Sequence, residues 1–180
     1  SVGDARKRVS ERRIWREYLL IFVTVGSREY PFDRLLMKLD DLCAEGRLPE
    51  PLFAQIGQSP YVPKHYDFVR YLDTDAFYRC QSEASLVISH AGTGALIGAL
   101  KRGRQVVSVP RRKALGEHID DHQLQVSEAL SSQGYLRQVL DMDDLEATVR
   151  LAYSDPIQKR YDRPRNVVPV IEAYLKEHLR

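Results

Sequence analysis

Short apolar runs alternate along this chain with stretches in which apolar positions recur every three or four residues. Leu20-Ile21-Phe22-Val23-Thr24-Val25 is continuous and β-branched, and Gly26-Ser27 ends it, as in a strand buried on both faces. From Pro31 to Glu45, Leu35, Leu36, Leu39 and Leu42 fall at helical spacing, with Gly46 beyond as a stop. Further strand-length runs are Leu52–Ile56, Asp67–Tyr71, Leu86–Ile88 and Val106–Val109, and the last two flank a helical stretch from Ala95 to Lys101. A helix fits Asp120 to Ser131, a strand Tyr135–Leu140, and helices Asp143–Tyr153 and Val167–Leu179. Strands alternating with helices predict an α/β fold, a Rossmann-like, mainly parallel sheet with helices on both faces.

Composition narrows this to one unit. The 180 residues, 43% hydrophobic, suffice for one packed core and are too few for two. No window approaches the roughly 18 apolar residues of a membrane span, and no secretory leader is evident, so neither spanning nor secretion is expected. Cys43 and Cys80 lack C-x-x-C spacing and read as buried thiols of a reducing, cytoplasmic setting. The net charge of +2 is uneven: Arg6, Lys7, Arg8, Arg12, Arg13 and Arg16 against Asp4, Glu11 and Glu17 give the first twenty residues +3, leaving the rest at −1. Such a body is no nucleic-acid surface, and residues 1–19 read as a basic amphipathic extension to a domain of residues 20–180.

Ligands of parallel α/β sheets bind beyond the carboxyl ends of the strands. Three loops in those positions carry unusual chemistry. The first is Gly26-Ser27-Arg28. The second, Ser89-His90-Ala91-Gly92-Thr93-Gly94, opens a helix with small residues, a hydroxyl and an imidazole able to donate to a phosphate, which suits an anion. A plain strand-to-helix turn is the competing reading. The third, Pro110 to Gln123, contains Glu117-His118-Ile119-Asp120-Asp121-His122-Gln123. Asp120 reads as a helix N-cap, which puts His118 before the helix and His122 inside it, so a metal site is the lesser reading. Gln123 and a neutral imidazole offer donors and acceptors to sugar hydroxyls, and a solvated face is the alternative.

The segments Ile21–Ser27, Leu86–Gly94 and Gly116–Gln123, in that order and spacing, resemble the C-terminal, donor-binding domain of glycosyltransferase family 28. Among that family the chain is similar to short, single-domain catalytic subunits, those of eukaryotic dolichol-linked N-acetylglucosamine transfer and, by its Val-Pro-Arg-Arg and Gly-Glu-His-Ile-Asp-Asp-His-Gln text, those of bacterial exopolysaccharide and capsule synthesis. The resemblance implies the C-terminal half of a GT-B fold and a UDP-sugar as substrate, with no cofactor and no metal. It implies that Gly26 and Ser27 lie beside the diphosphate, that His90, Gly92, Thr93 and Gly94 hold the phosphates, and that Phe68 lies where backbone reads uracil. His122 and Gln123 would meet sugar hydroxyls and Glu117 would orient their loop. Arg111 and Arg112 would face the diphosphate or a carboxylated sugar, or solvent.

The implied reaction is inverting, with His90 stabilising the leaving group and no general base assignable here. The acceptor, a lipid-diphosphate-linked sugar, would be held by a membrane-associated partner subunit at the inner face of the cell membrane, giving a peripheral membrane contact. Ile14, Trp15, Tyr18 and Leu19, or Val168, Ile171, Tyr174 and Leu175, would dock there or pack on the domain itself. One departure stands out: where relatives carry a ribose-binding Glu, this chain has Gly98. It keeps open a non-catalytic reading, a nucleotide-sugar-binding regulatory or scaffolding subunit.

Overall fold

The computed structural model describes residues 19–163 and 168–178. Six strands, β1 (Ile21–Thr24), β2 (Leu52–Gln55), β3 (Asp67–Val69), β4 (Leu86–Ser89), β5 (Gln105–Ser108) and β6 (Arg137–Gln138), form a parallel sheet in the order β3-β2-β1-β4-β5-β6. The connecting helices are α1 (Asp33–Ala44), α2 (Thr74–Glu83), α3 (Thr93–Lys101), α4 (His122–Ser132), α5 (Leu145–Ser154) and α6 (Val168–His178). This is the expected α/β, Rossmann-like architecture.

Strand side chains alternate between two apolar layers, which is why the runs are continuously apolar rather than alternating. Phe22, Phe53, Val87 and Val106 face α2, α3 and α4, together with Ile171 and Tyr174 of α6. Ile21, Val23, Ala54, Ile88 and Val107 face Leu35, Leu36 and Leu39 of α1 and Leu145 and Val149 of α5. Ile171 and Tyr174 therefore pack on the domain's own core, and the Tyr174 hydroxyl donates to Glu128 at 3.2 Å. Leu19 is exposed. Ile14, Trp15 and Tyr18, with the rest of the basic stretch through residue 18, lie outside the described residues.

Several element ends differ from the sequence pattern, each for a local reason. α3 begins at Thr93 rather than Ala95, because Gly92 serves as N-cap inside the glycine-rich turn. α4 begins at His122, and Asp120, one residue outside the N-cap Asp121, accepts from the His122 N–H at 3.0 Å. The Tyr135–Leu140 strand pairs only over Arg137–Gln138, since Tyr135 and Leu136 turn into the core instead. α2 has no counterpart in the pattern at all. Its start is set by Asp73, whose carboxylate accepts from the Ala76 N–H at 2.8 Å.

The last position of five strands is polar. Gln55, Thr24, Ser89, Ser108 and Gln138 stand in register across β2-β1-β4-β5-β6. They share the parity of Phe22 and Phe53, so the row lies at the upper edge of the face covered by α2, α3 and α4. Ser108 and Gln138 donate to Ser127 of α4 at 2.8 and 2.9 Å, and Gln55 accepts from the Leu72 N–H at 3.0 Å. On this face the strands thus end in a polar row, in which the buried Ser89 Oγ has no hydrogen-bond partner among the described residues, while on the other face the apolar core continues through Val25, Ile56 and Val109.

Candidate functional site

The chain leaves β1 outward to β2 and β3, then returns beside β1 as β4 and runs outward the other way. The loops after β1 and β4 consequently diverge and leave a crevice between them. A cleft of about 710 Å³ occupies it, within the range of small-molecule sites. Gly26, Ser27 and Tyr30 form one wall, His90 to Ala95 another, and His118, His122 and Gln123 a third. Leu72, Thr74, Phe77 and Tyr78 close the side toward α2. A second hollow, of about 630 Å³, lies at the opposite edge of the sheet beneath the amino ends of β2 and β3.

His90 sits at the centre, 8% exposed. Its Nδ1 lies 3.1 Å from the Thr24 carbonyl oxygen, which only accepts, so Nδ1 carries the proton. Nε2 is left with a lone pair. Burial, and secondarily the positive charge of Arg111, push the imidazole down to about 3, against the opposing pull of the Thr24 carbonyl. His90 is therefore neutral at pH 7, and in the free site its Nε2 is an acceptor, not the phosphate donor that the sequence suggests.

The two glycines of the following turn have different duties. A Cβ at Gly92 would stand 2.4 Å from His90 Nε2, so Gly92 makes room for the imidazole, whereas a Cβ at Gly94 would meet nothing within 4 Å. Between His90 and Gly92, Ala91 takes a φ of 68°, a left-handed backbone that costs an L-residue about 1–2 kcal/mol. Such strain is held where surrounding structure over-determines it. Beyond the turn, Gly92 offers no side-chain cap, and the ladder of α3 starts with Leu96 donating to the Gly92 carbonyl. The N–H groups of Thr93, Gly94 and Ala95 have no carbonyl in the preceding turn to receive them. With the helix dipole, they make the α3 end of the cleft favourable to an anion.

Arg111 lines the cleft and is buried rather than solvated. Its Nη2 donates to the Val25 and Tyr30 carbonyls, both at 2.6 Å, and the guanidinium lies over the Phe32 ring. It binds the loop after β5 to the loop after β1. Burial lowers it to about 10, with Glu117 opposing, so it stays charged at neutral pH. Glu117 lies outside the cleft wall, where it receives Arg34 at 2.7 and 3.1 Å and the Arg112 N–H at 3.0 Å. Gln123 uses its Oε1 on the Arg111 N–H at 3.2 Å, which leaves the amide donors for the cleft. His118 Nδ1 lies 3.0 Å from Asp120 Oδ1, and the imidazole lies against the Tyr30 ring. His122 is exposed at the cleft mouth.

The structure thus brings Gly26, Ser27, His90, Gly92, Thr93, Gly94, His122 and Gln123 to one cleft. Phe68 is not among them: it packs on the α1 and α5 layer, because its parity in β3 is that of Ala54. The aromatic wall is instead Phe77 and Tyr78, on the helix that the sequence pattern did not show.

Comparison with known proteins follows the same outline. The model of the glycosyltransferase family 28 C-terminal domain matches residues 20–173. The UDP-N-acetylglucosamine transferase subunit ALG13 of Homo sapiens is 30% identical over 134 residues, covering 64% of this chain and 10% of that protein; the chain therefore spans about a tenth of the relative's length. The solution structure of ALG13 superposes with a TM-score of 0.53 at 17% identity, covering 92% of this chain and 98% of the other. Os79 from O. sativa, solved in complex with UDP, superposes with a TM-score of 0.56 at 17% identity, covering 88% of this chain and 36% of the other.

Proposed function

We propose that this chain, which belongs to the glycosyltransferase family 28 C-terminal domain family, is the donor-binding, catalytic subunit of an inverting hexosyltransferase. It takes a hexosyl group from a UDP-sugar to a lipid-diphosphate-linked sugar in bacterial exopolysaccharide or capsule synthesis. A membrane-associated partner at the inner face of the membrane supplies the acceptor half. The observation that carries this reading is the convergence, at the β1/β4 crossing, of the uncapped α3 N-terminus, His90 and the Gln123 amide on one cleft. UDP bound to Os79 and the transferase named for the human relative support the donor class.

In this reading the diphosphate lies across the N-terminus of α3, where N–H groups and the helix dipole meet its charge without a metal. The acceptor hydroxyl attacks the anomeric carbon, the bond to the UDP oxygen breaks, and negative charge gathers on the departing β-phosphate. His90 meets that charge as a donor only after Nε2 takes up a proton, because its Nδ1 proton is spent on Thr24. The approaching phosphate itself raises the imidazole's proton affinity. Gln123 donates to the sugar. The base that activates the acceptor comes with the partner's half.

Calorimetric titration with UDP tests the donor site, and transfer by the chain reconstituted with its partner tests catalysis. His90→Ala is expected to lower the transfer rate about 10²-fold, the loss typical of removing one charge-stabilising donor. A scaffolding subunit would retain full transfer.

A further inference from the structure

In a parallel sheet every loop that leads from a strand into the next helix stands at the carboxyl edge, so residues 25–32, 70–73, 90–92, 109–121 and 139–144 share the edge on which the cleft opens. Of the nine large apolar side chains exposed among the described residues, Tyr71, Leu115, Ile119 and Leu140 belong to these loops, and Tyr78 lines the cleft beside them. The other four are scattered: Leu19 before β1, Met37 on α1, Val62 before β3 and Leu151 on α5. Single exposed apolar residues need no explanation, whereas apolar surface gathered at one edge marks an interaction face.

The most exposed side chains of this edge, Ile119 at 68% and Leu115 at 51%, stand on a loop that is held from within. Between them Glu117 receives Arg34 and the Arg112 N–H, Asp121 receives the Lys113 N–H at 3.0 Å, and Asp120 receives that of His122. Gly116 turns the chain between the two with a φ of 70°, a left-handed backbone that glycine takes without a side-chain penalty. Both apolar side chains are thus offered to solvent on a fixed frame, which lowers the ordering cost for whatever buries them.

Charge selects among the occupants. The five loops carry five cations and eight carboxylates, a net −3 in a chain whose total is +2. An anionic bilayer is repelled by such an edge. A second copy docking through a two-fold axis would set the same acidic edge against itself. A protein surface with apolar pockets and a basic rim matches it in both respects. Resting on the two-subunit reading above, we propose that the acceptor-binding partner docks on this set of loops, with Ile119 and Leu115 as anchors and with a basic, apolar contact surface of its own. Docked there, the partner covers the mouth of the cleft and brings the acceptor opposite the α3 N-terminus and His90.

The test is surface plasmon resonance of the detergent-solubilised partner subunit against the full chain and against Leu115→Ser, Ile119→Ser, Met37→Ser and Leu151→Ser. Leu115→Ser and Ile119→Ser should each bind about tenfold more weakly, as expected of an interface anchor, with the Tm of the unsubstituted chain. Met37→Ser and Leu151→Ser, away from the edge, should bind as the unsubstituted chain does. Raising the ionic strength should weaken binding of the unsubstituted chain. Unchanged binding in both edge variants would overturn the proposal, as would equal losses in Met37→Ser and Leu151→Ser. Flotation of the chain alone on phosphatidylglycerol vesicles, lost in Ile119→Ser, would overturn it in favour of a lipid surface. A dimer in sedimentation, dissociated by the same substitution, would overturn it in favour of a second copy. If the partner does not bind even the unsubstituted chain, the two-subunit reading fails and this docking surface with it.

Discussion

Lowering the pH from 7 to 5 should destabilise this fold through His90. The imidazole is held neutral at about 3 in the folded chain, against an ordinary value of 6.5, mainly because burial penalises the charged form. Between those two values the unfolded chain binds a proton that the folded chain refuses, so stability is complete above 6.5 and declines as the pH falls toward 3. Each pH unit in the window is worth about 1.4 kcal/mol, so at pH 5 the loss is about 2 kcal/mol. For a domain of this size that corresponds to a fall in Tm of roughly 4–8 °C. Carboxylates with partners, such as Asp40, held below its usual range by Tyr61 and the Lys64 and His65 N–H groups despite burial, also lose stabilisation in acid. The measurement is therefore a difference. Urea unfolding of the unsubstituted chain and of His90→Gln, each at pH 7 and pH 5, should show the unsubstituted chain losing about 2 kcal/mol more. Equal losses in the two proteins would refute the assignment of a buried, neutral His90.

Three further outcomes follow from the same geometry. UDP binding should be accompanied by proton uptake, read as a dependence of the binding heat on buffer ionisation, and His90→Gln should abolish the uptake. Arg111→Met should cost about 2–4 kcal/mol in chemical unfolding, because the buried Val25 and Tyr30 carbonyls lose their donors. Gly92→Ala should destabilise strongly by driving a Cβ into His90, whereas Gly94→Ala should leave stability within about 1 kcal/mol of its original value while weakening UDP binding; comparing Tm and Kd for the pair checks both.

The sheet was legible because its strands are apolar on both faces, and the three loops were legible because small, hydroxyl and imidazole residues interrupt that pattern at strand ends. What escaped was set by partners distant in sequence. Only the pairing of β3 with β2 and the capping of α2 by Asp73 decide that Phe68 packs on the α1 and α5 layer while Phe77, edge-on to Phe22 in the other layer, also reaches the cleft. The hydrogen-bonding role of His90 depends on the Thr24 carbonyl, 66 positions away. The buried state of Arg111 depends on carbonyls more than 80 positions away. The strand segments end Thr24, Gln55, Ser89 and Ser108, a polar residue in each, and this row marks the cleft-side edge of the face covered by α2, α3 and α4.

Those distant contacts also bear on how the proposed partner acts. Arg111 joins the loop after β5 to the loop after β1, Arg34 of α1 joins Glu117 of the same β5 loop, and His90 joins the loop after β4 to the end of β1. Every cleft wall contributed by a strand end is thus braced against β1 or the segment that follows it, within this chain. Such cross-bracing fixes the positions of the α3 N-terminus, His90 and Gln123 before any ligand arrives, which reduces the ordering cost of binding. A partner subunit therefore has no need to assemble the donor site. Its contribution falls on the open side of the cleft, where the acceptor and the base must enter, and its presence should change the rate of transfer far more than the affinity for UDP.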